Sequence, residues 1–278
     1  MLLHQSLVDR IKDPVAHDYV SSVVDIEIDR TQILHLLDKA WNETVADVIS
    51  DGVLGEYYSH PVWMLNGLFS YLDRESYAHR QAISLWIKSQ SANLDKFRVA
   101  DYGGGMGALS FILAKQFDEL PDCEIELIEP YCDSQIWSLL DVPQPTRLRK
   151  TARLSGTYDF IIAQDVLEHC FNPMDIAQHI LSHLTPGGFA IFINCFRPVI
   201  ACHLPRNMWL RHLFNPFLIY SGYEKQKVQM VPNGHAFRRK NSSSATDVAS
   251  FDRATALRAV GEFLNLAEYG LKTLIGRG

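Results

Sequence analysis

The residues with most evident chemical potential lie in VADYGGGMGALSFILAK, where a β-branched run ends in Asp101 and Gly103, Gly104, Gly105 and Gly107 follow. Glycines let a backbone turn tightly and let a ligand lie against it, and the helix that follows offers free N–H groups to polar ligand atoms. A carboxylate at the strand end can meet a cationic ligand group, directly or through water. Further on, IELIEP ends in Glu129, whose carboxylate can accept from two adjacent hydroxyls. A third cluster, YDFIIAQDVLEHCFNP, brings Asp165, Glu168 and His169 together. Asp165 and Glu168 have capping-box spacing. His169 reads either as a helix residue bonded to a carbonyl or as a general base, for which an unperturbed pKa near about 6.5 suits it.

These residues need elements to hold them. From Phe97 onward short apolar runs alternate with helical ones, the signature of βαβ units and a parallel sheet. FRVADY, CEIELIE, YDFIIAQ and GFAIFINCF are the expected strands. Helices are expected from Ala108 to Phe117, Asp133 to Leu140 and Pro173 to Leu184. Beyond Phe196 the pattern gives a helix around Pro205 to Phe214 and two β-like stretches, KVQMV and HAFRR. Residues before about 95 are helical and strand-poor, with one amphipathic helix from Asp29 to about Ile49 and another from about Glu75 to Ser89. The expected organisation is therefore a helical segment over 1–95, an α/β domain over 96–241, and a linker (NSSSATD) with a C-terminal helix over 242–278. In that helix Leu257, Val260, Leu264, Ala267, Leu271 and Leu274 form a narrow apolar seam, which packs on its own subunit or pairs in a homodimer.

Asp101 with Gly103, Gly105 and Gly107 resembles the first motif of the class I S-adenosylmethionine-dependent methyltransferases, an acidic residue followed by alternating glycines. DVLEH after the fourth strand, and LTPGGFAIFI as turn and fifth strand, are similar to the same family in order and spacing over about Phe97 to Phe196. The resemblance implies a Rossmann-like α/β fold: a mostly parallel seven-stranded sheet flanked by helices, with an N-terminal helical extension over the active site and a C-terminal helix. It implies S-adenosyl-L-methionine as cofactor, bound by Asp101, Gly103, Gly104, Gly105, Gly107 and Glu129, with Asp165 and Val166 along it. The activity it implies is methyl transfer by in-line displacement to a small-molecule acceptor, with His169 as the catalytic base for a hydroxyl.

Two other functions fit some of the same residues. Gly103, Gly105 and Ala108 also satisfy G-x-G-x-x-A, a variant dinucleotide fingerprint, so a nicotinamide-dependent oxidoreductase is the first alternative. An inactive S-adenosylmethionine-binding protein is the second, because fold alone does not settle chemistry. A net charge of −6 and a pI near 6.0 give no basic surface for nucleic acid. The five cysteines form no C-x-x-C pair, and charges at Asp9, Arg10, Lys12 and Asp13 interrupt any leader-like run, which fits a cytoplasmic protein with no membrane partner. No metal is expected, since Cys202 and His203 are adjacent without a partner at ligand spacing. His60, His203 and His235 are further candidate bases, and Tyr57, Tyr58 and Trp63 are candidate acceptor-pocket aromatics, although an aromatic cluster in a helical segment is more often core packing. The region from Cys132 to Tyr158 shows no clear third strand.

Overall fold

The computed structural model describes residues 1–23, 27–45, 50–120, 122–132, 135–140, 142–238 and 257–275. They fall into two compact units: Met1–Leu154 with Gln229–Val231, and Ser155–Val228 with the described residues from Pro232 onward.

The first unit opens with helices α1 (Gln5–Val8), α2 (Pro14–Ser21), α3 (Arg30–Thr44), α4 (Asp51–Tyr58), α5 (Val62–Leu72) and α6 (Arg74–Gln90). Short polar side chains start four of them, with Ser50 accepting from Val53 N–H at the start of α4. Asp13 and Asp73 accept from the backbone N–H groups of Ala16 and Ser76, and Asp29 forms a reciprocal capping box with Gln32. The helix expected from Asp29 ends at Thr44, where Val45 is extended; the last residues of that expectation, 46–49, lie outside the described residues.

Then follow β1 (Phe97–Tyr102), α7 (Ala108–Gln116), β2 (Cys123–Ile128), α8 (Ile136–Leu139) and β3 (Leu148–Thr151). β1 pairs parallel with β2, and β2 with β3. The strand that the sequence leaves unplaced is thus LRKT, and its composition explains the silence. Only Leu148 is buried, while Arg149 contributes a cross-strand ion pair to Glu126, which Arg98 of β1 also holds at 2.6 Å.

In the second unit β4 (Tyr158–Gln164) leads into a 3₁₀ turn (Leu167–His169), α9 (Pro173–Ser182) and β5 (Leu184–Ile193). A second 3₁₀ turn (Pro205–Asn207), α10 (Leu210–Tyr220), β6 (Glu224–Lys227), β7 (Gly234–Arg238) and α11 (Arg258–Ile275) complete it. β4 and β5 are parallel; β7 runs antiparallel to both β5 and β6. The strands follow the order β3-β2-β1-β4-β5-β7-β6, the mostly parallel Rossmann-like sheet that the resemblance implies. Of KVQMV only Lys227 lies in a strand, as the last residue of β6.

The C-terminal helix forms, but not on the expected seam. Leu257, Val260, Leu264 and Ala267 are exposed, and the face turned to α10 carries Gly261, Asn265 and Glu268. Asn265 donates to the Met208 carbonyl at 2.9 Å, and Arg211 pairs with Glu268 at 2.6 Å. A Cβ on Gly261 would stand 2.5 Å from the Trp209 carbonyl oxygen, so the close approach requires glycine. Polar pairing and backbone proximity therefore dock this helix. The side chains of Leu271 and Leu274, and the NSSSATD linker, lie outside the described residues.

Candidate active site

In the first unit the glycine loop leaves β1 after Tyr102. Gly103 N–H donates to the Ile128 carbonyl at 2.8 Å, which ties the loop to the end of β2. Gly105 and Gly107 adopt φ of 56° and 77°, left-handed conformations that a β-carbon disfavours. Gly104 is required for a different reason, because a Cβ there would meet the Asp101 carboxylate and Leu127 at 2.6 Å. At Gly105 a Cβ would meet nothing within 4 Å: this is the one of the three that faces open space. Met106 fills the other side, buried where a Cβ on Gly67 of α5 would touch its sulfur.

Two carboxylates organise the loop. Asp101 is buried, and its Oδ2 accepts from Ser110 Oγ at 2.7 Å and Ser110 N–H at 3.1 Å, which pins α7 to β1. Burial pushes its carboxyl up to about 6, against the pull of the Ser110 hydrogen bonds. Glu129, just past β2, accepts from Gly105 N–H through Oε2 at 2.9 Å. Its Oε1 takes Tyr131 N–H at 2.8 Å and Cys132 N–H at 3.3 Å. Each carboxylate oxygen has two acceptor sites, so Oε2 retains capacity for one more donor.

The aromatics expected either in a substrate cage or in the core divide. Tyr57 is fully buried, its hydroxyl 3.2 Å from the Leu37 carbonyl and its ring edge against Trp41, which is core packing. Tyr58 and Trp63 are half-buried, and Tyr58 lies over Tyr131, two residues past Glu129, at 5.8 Å. His60 accepts from Val62 N–H at 3.1 Å and holds a turn.

In the second unit Asp165 follows β4 in a left-handed conformation, φ 53°, and is exposed beside the half-buried Val166. A non-glycine residue held there marks strain of the kind that collects at functional sites. The capping-box reading of Asp165 with Glu168 gives way to a longer-range contact. Glu168 is buried and its Oε1 accepts from Cys195 N–H at 2.6 Å, while the 3₁₀ turn carries no side-chain cap. Burial, with the Asp165 charge adding, pushes the Glu168 carboxyl up to about 8.

His169 is buried, with Nδ1 3.2 Å from the Cys202 carbonyl and its ring edge on His203 at 4.8 Å. A carbonyl only accepts, so Nδ1 carries the proton and Nε2 the lone pair. Burial, with His203 alongside, lowers His169 to about 3 and keeps the imidazole neutral. Asn207 fixes the turn, its amide reaching the carbonyls of Cys170, Glu168 and Leu167 at 2.7, 3.2 and 3.4 Å. Neither Ser110 nor Asn207 stands out in the sequence, since each acts through backbone atoms or groups that the chain brings close only on folding. His235, on β7, lies 3.4 Å from Asn215 Nδ2, apart from the His169 cluster.

Residues 69–252, well over half of the chain, match the family described as methyltransferase domain. The chain belongs to this family, in the class I S-adenosylmethionine-dependent type. A ubiquinone biosynthesis O-methyltransferase of Rickettsia prowazekii is 27% identical over 142 residues, 49% of this chain, and the match spans only 55% of that relative's length. Among solved structures, the CurJ carbon methyltransferase has a TM-score of 0.49 at 14% identity, covering 84% of this chain and 66% of its own. Human N-acetylserotonin methyltransferase, in complex with SAM, has a TM-score of 0.46 at 13% identity, covering 81% and 70%. No helix among the described residues is long and apolar enough to cross a membrane.

Proposed function

We propose that this chain is an S-adenosylmethionine-dependent methyltransferase acting on a small-molecule acceptor. The observation that carries the reading is the glycine loop: Gly105 faces open space, while its N–H is held by a glutamate with acceptor capacity to spare. A nucleoside with two adjacent hydroxyls fits that arrangement. When bound, S-adenosylmethionine supplies an electrophilic methyl on a sulfonium.

The residues we assign to holding it are Asp101, Gly103, Gly104, Gly105, Gly107 and Glu129. Glu129 orients the loop and takes a ribose hydroxyl. Asp101 fixes the helix start that follows. Positioning and exclusion of water are the main tasks of such a site, because the methyl donor needs no covalent help.

For a hydroxyl acceptor, His169 is assigned the proton. The Cys202 carbonyl fixes the proton on Nδ1, which leaves Nε2 as the basic nitrogen. The O-methyltransferase relative makes hydroxyl compounds the first acceptors to try.

Calorimetry with S-adenosylhomocysteine and with NADH tests the reading. We expect saturable binding of the first and none of the second. The reverse would favour the oxidoreductase, and S-adenosylhomocysteine binding without turnover on any acceptor would leave a binding protein. His169→Ala should lower the methylation rate far more than cofactor affinity, and an unchanged rate would assign His169 to packing.

A further inference from the structure

The second unit brings two adjacent residues, Glu168 and His169, together with His203 from more than thirty residues further along the chain, all of types that can ligate a metal. Glu168 and His169 end the 3₁₀ turn after β4, and His203 comes from the loop before α10. All three are at least nine-tenths buried, with 1%, 9% and 8% of their surface exposed. One ligand atom from each lies within 4.8 Å of the other two.

Glu168 Oε1 is occupied by the Cys195 N–H, whereas Oε2 is buried without a hydrogen-bond partner. A buried carboxylate oxygen left so is costly unless a cation or donor meets it. Both imidazoles are oriented from behind: His169 Nδ1 faces the Cys202 carbonyl at 3.2 Å, and His203 Nδ1 faces the Arg197 carbonyl at 2.6 Å. Carbonyls that fix Nδ1–H present Nε2 as the ligand, the outer-shell arrangement found behind metal-bound histidines. We propose that Glu168, His169 and His203 bind one divalent transition-metal cation of the zinc class.

Two imidazoles and one carboxylate suit Zn²⁺, Co²⁺ or Fe²⁺ and discriminate against Mg²⁺ and Ca²⁺, which take oxygen ligands. Ligand atoms around a tetrahedral zinc, bonded at about 2.0 to 2.2 Å, stand roughly 3.3 Å apart. Closing from the present spacing takes side-chain rotation of the order of an ångström. Three protein ligands leave a fourth position for water or another oxygen. A cation on His169 Nε2 holds the lone pair that proton abstraction uses, so the base role belongs to the metal-free protein. The proposal stands independently of methyl transfer.

The test uses the full-length chain, stripped with a chelator and titrated with Co²⁺, Zn²⁺ and Mg²⁺. We expect one equivalent of Co²⁺ to give visible absorption of low-coordinate type, displaced by Zn²⁺ and unaffected by excess Mg²⁺. Glu168→Gln and His203→Gln should each weaken Co²⁺ binding by about tenfold or more. Glu168→Gln retains an oxygen for the Cys195 N–H, so it keeps the readout should His203→Gln fail to fold by circular dichroism. Absence of Co²⁺ absorption, binding unchanged in Glu168→Gln, or a thiolate-to-cobalt band from the cysteines would each overturn the site. S-adenosylhomocysteine binding on the same samples reports the methyltransferase reading separately.

Discussion

Glu129 Oε2 lies 2.9 Å from the backbone nitrogen of Gly105, so the side chain expected to hold a ribose also clamps the loop that a cofactor would lie against. Its other oxygen takes two further N–H groups, from Tyr131 and Cys132. Glutamine cannot replace it, because its amide must set N–H donors against backbone donors on one side or the other. Glu129→Gln and Glu129→Ala should each weaken S-adenosylhomocysteine binding by about 1 to 3 kcal/mol, the range for hydrogen bonds to a charged group. Calorimetric affinities equal to wild type would remove Glu129 from the site.

Gly105 offers a cleaner probe than its neighbours. A methyl at Gly104 would strike Asp101 and Leu127, but one at Gly105 enters open space. Gly105→Ala should therefore remain folded, with only the left-handed backbone penalty of about 1 to 2 kcal/mol, and lose cofactor affinity. An alanine variant with wild-type affinity would place the ligand elsewhere.

Asp101 predicts a pH dependence whose sign is opposite to that of a salt-bridged carboxylate. Burial raises its pKa from 3.8 to about 6, so the folded state binds more protons than the unfolded one between those values. Stability should be greatest in this respect below about pH 4 and fall by roughly 3 kcal/mol as pH rises through 6. In Asp101→Asn that fall should disappear from denaturant unfolding curves measured between pH 4 and 7. Parallel pH profiles for the two proteins would contradict the burial argument.

Gly261 should be less replaceable than helix propensity suggests. Alanine in mid-helix is favoured over glycine by about 1 kcal/mol, yet a Cβ here collides with the Trp209 backbone oxygen. Gly261→Ala should lower the melting temperature and loosen protection of the 258–275 amides in hydrogen exchange. Truncation after Ser244 with light scattering tests whether copies of the chain pair through this helix. A variant that melts at or above the wild-type temperature would show the helix to be undocked.

The sequence alone determined the strand, glycine turn and helix from Phe97 to Gln116, and YDFIIAQ as β4 residue for residue, because local patterning and backbone conformation specify them. It also marked Asp101, Glu129 and His169 as the groups with chemistry. β3 and β6 escaped it, since strands at the ends of the sheet carry polar residues and lose the apolar signal. The apolar seam of the C-terminal helix is not the face that docks on α10, because that face uses glycine and polar pairs that hydrophobic periodicity does not register. Only the tertiary structure decided what the marked carboxylates touch. Asp101 meets Ser110 nine residues on, Glu129 meets Gly105 across two strands, and Glu168 and His169 meet His203 from a loop more than thirty residues away. Such meetings are fixed by how strands pair and loops return over them, and no local spacing encodes them.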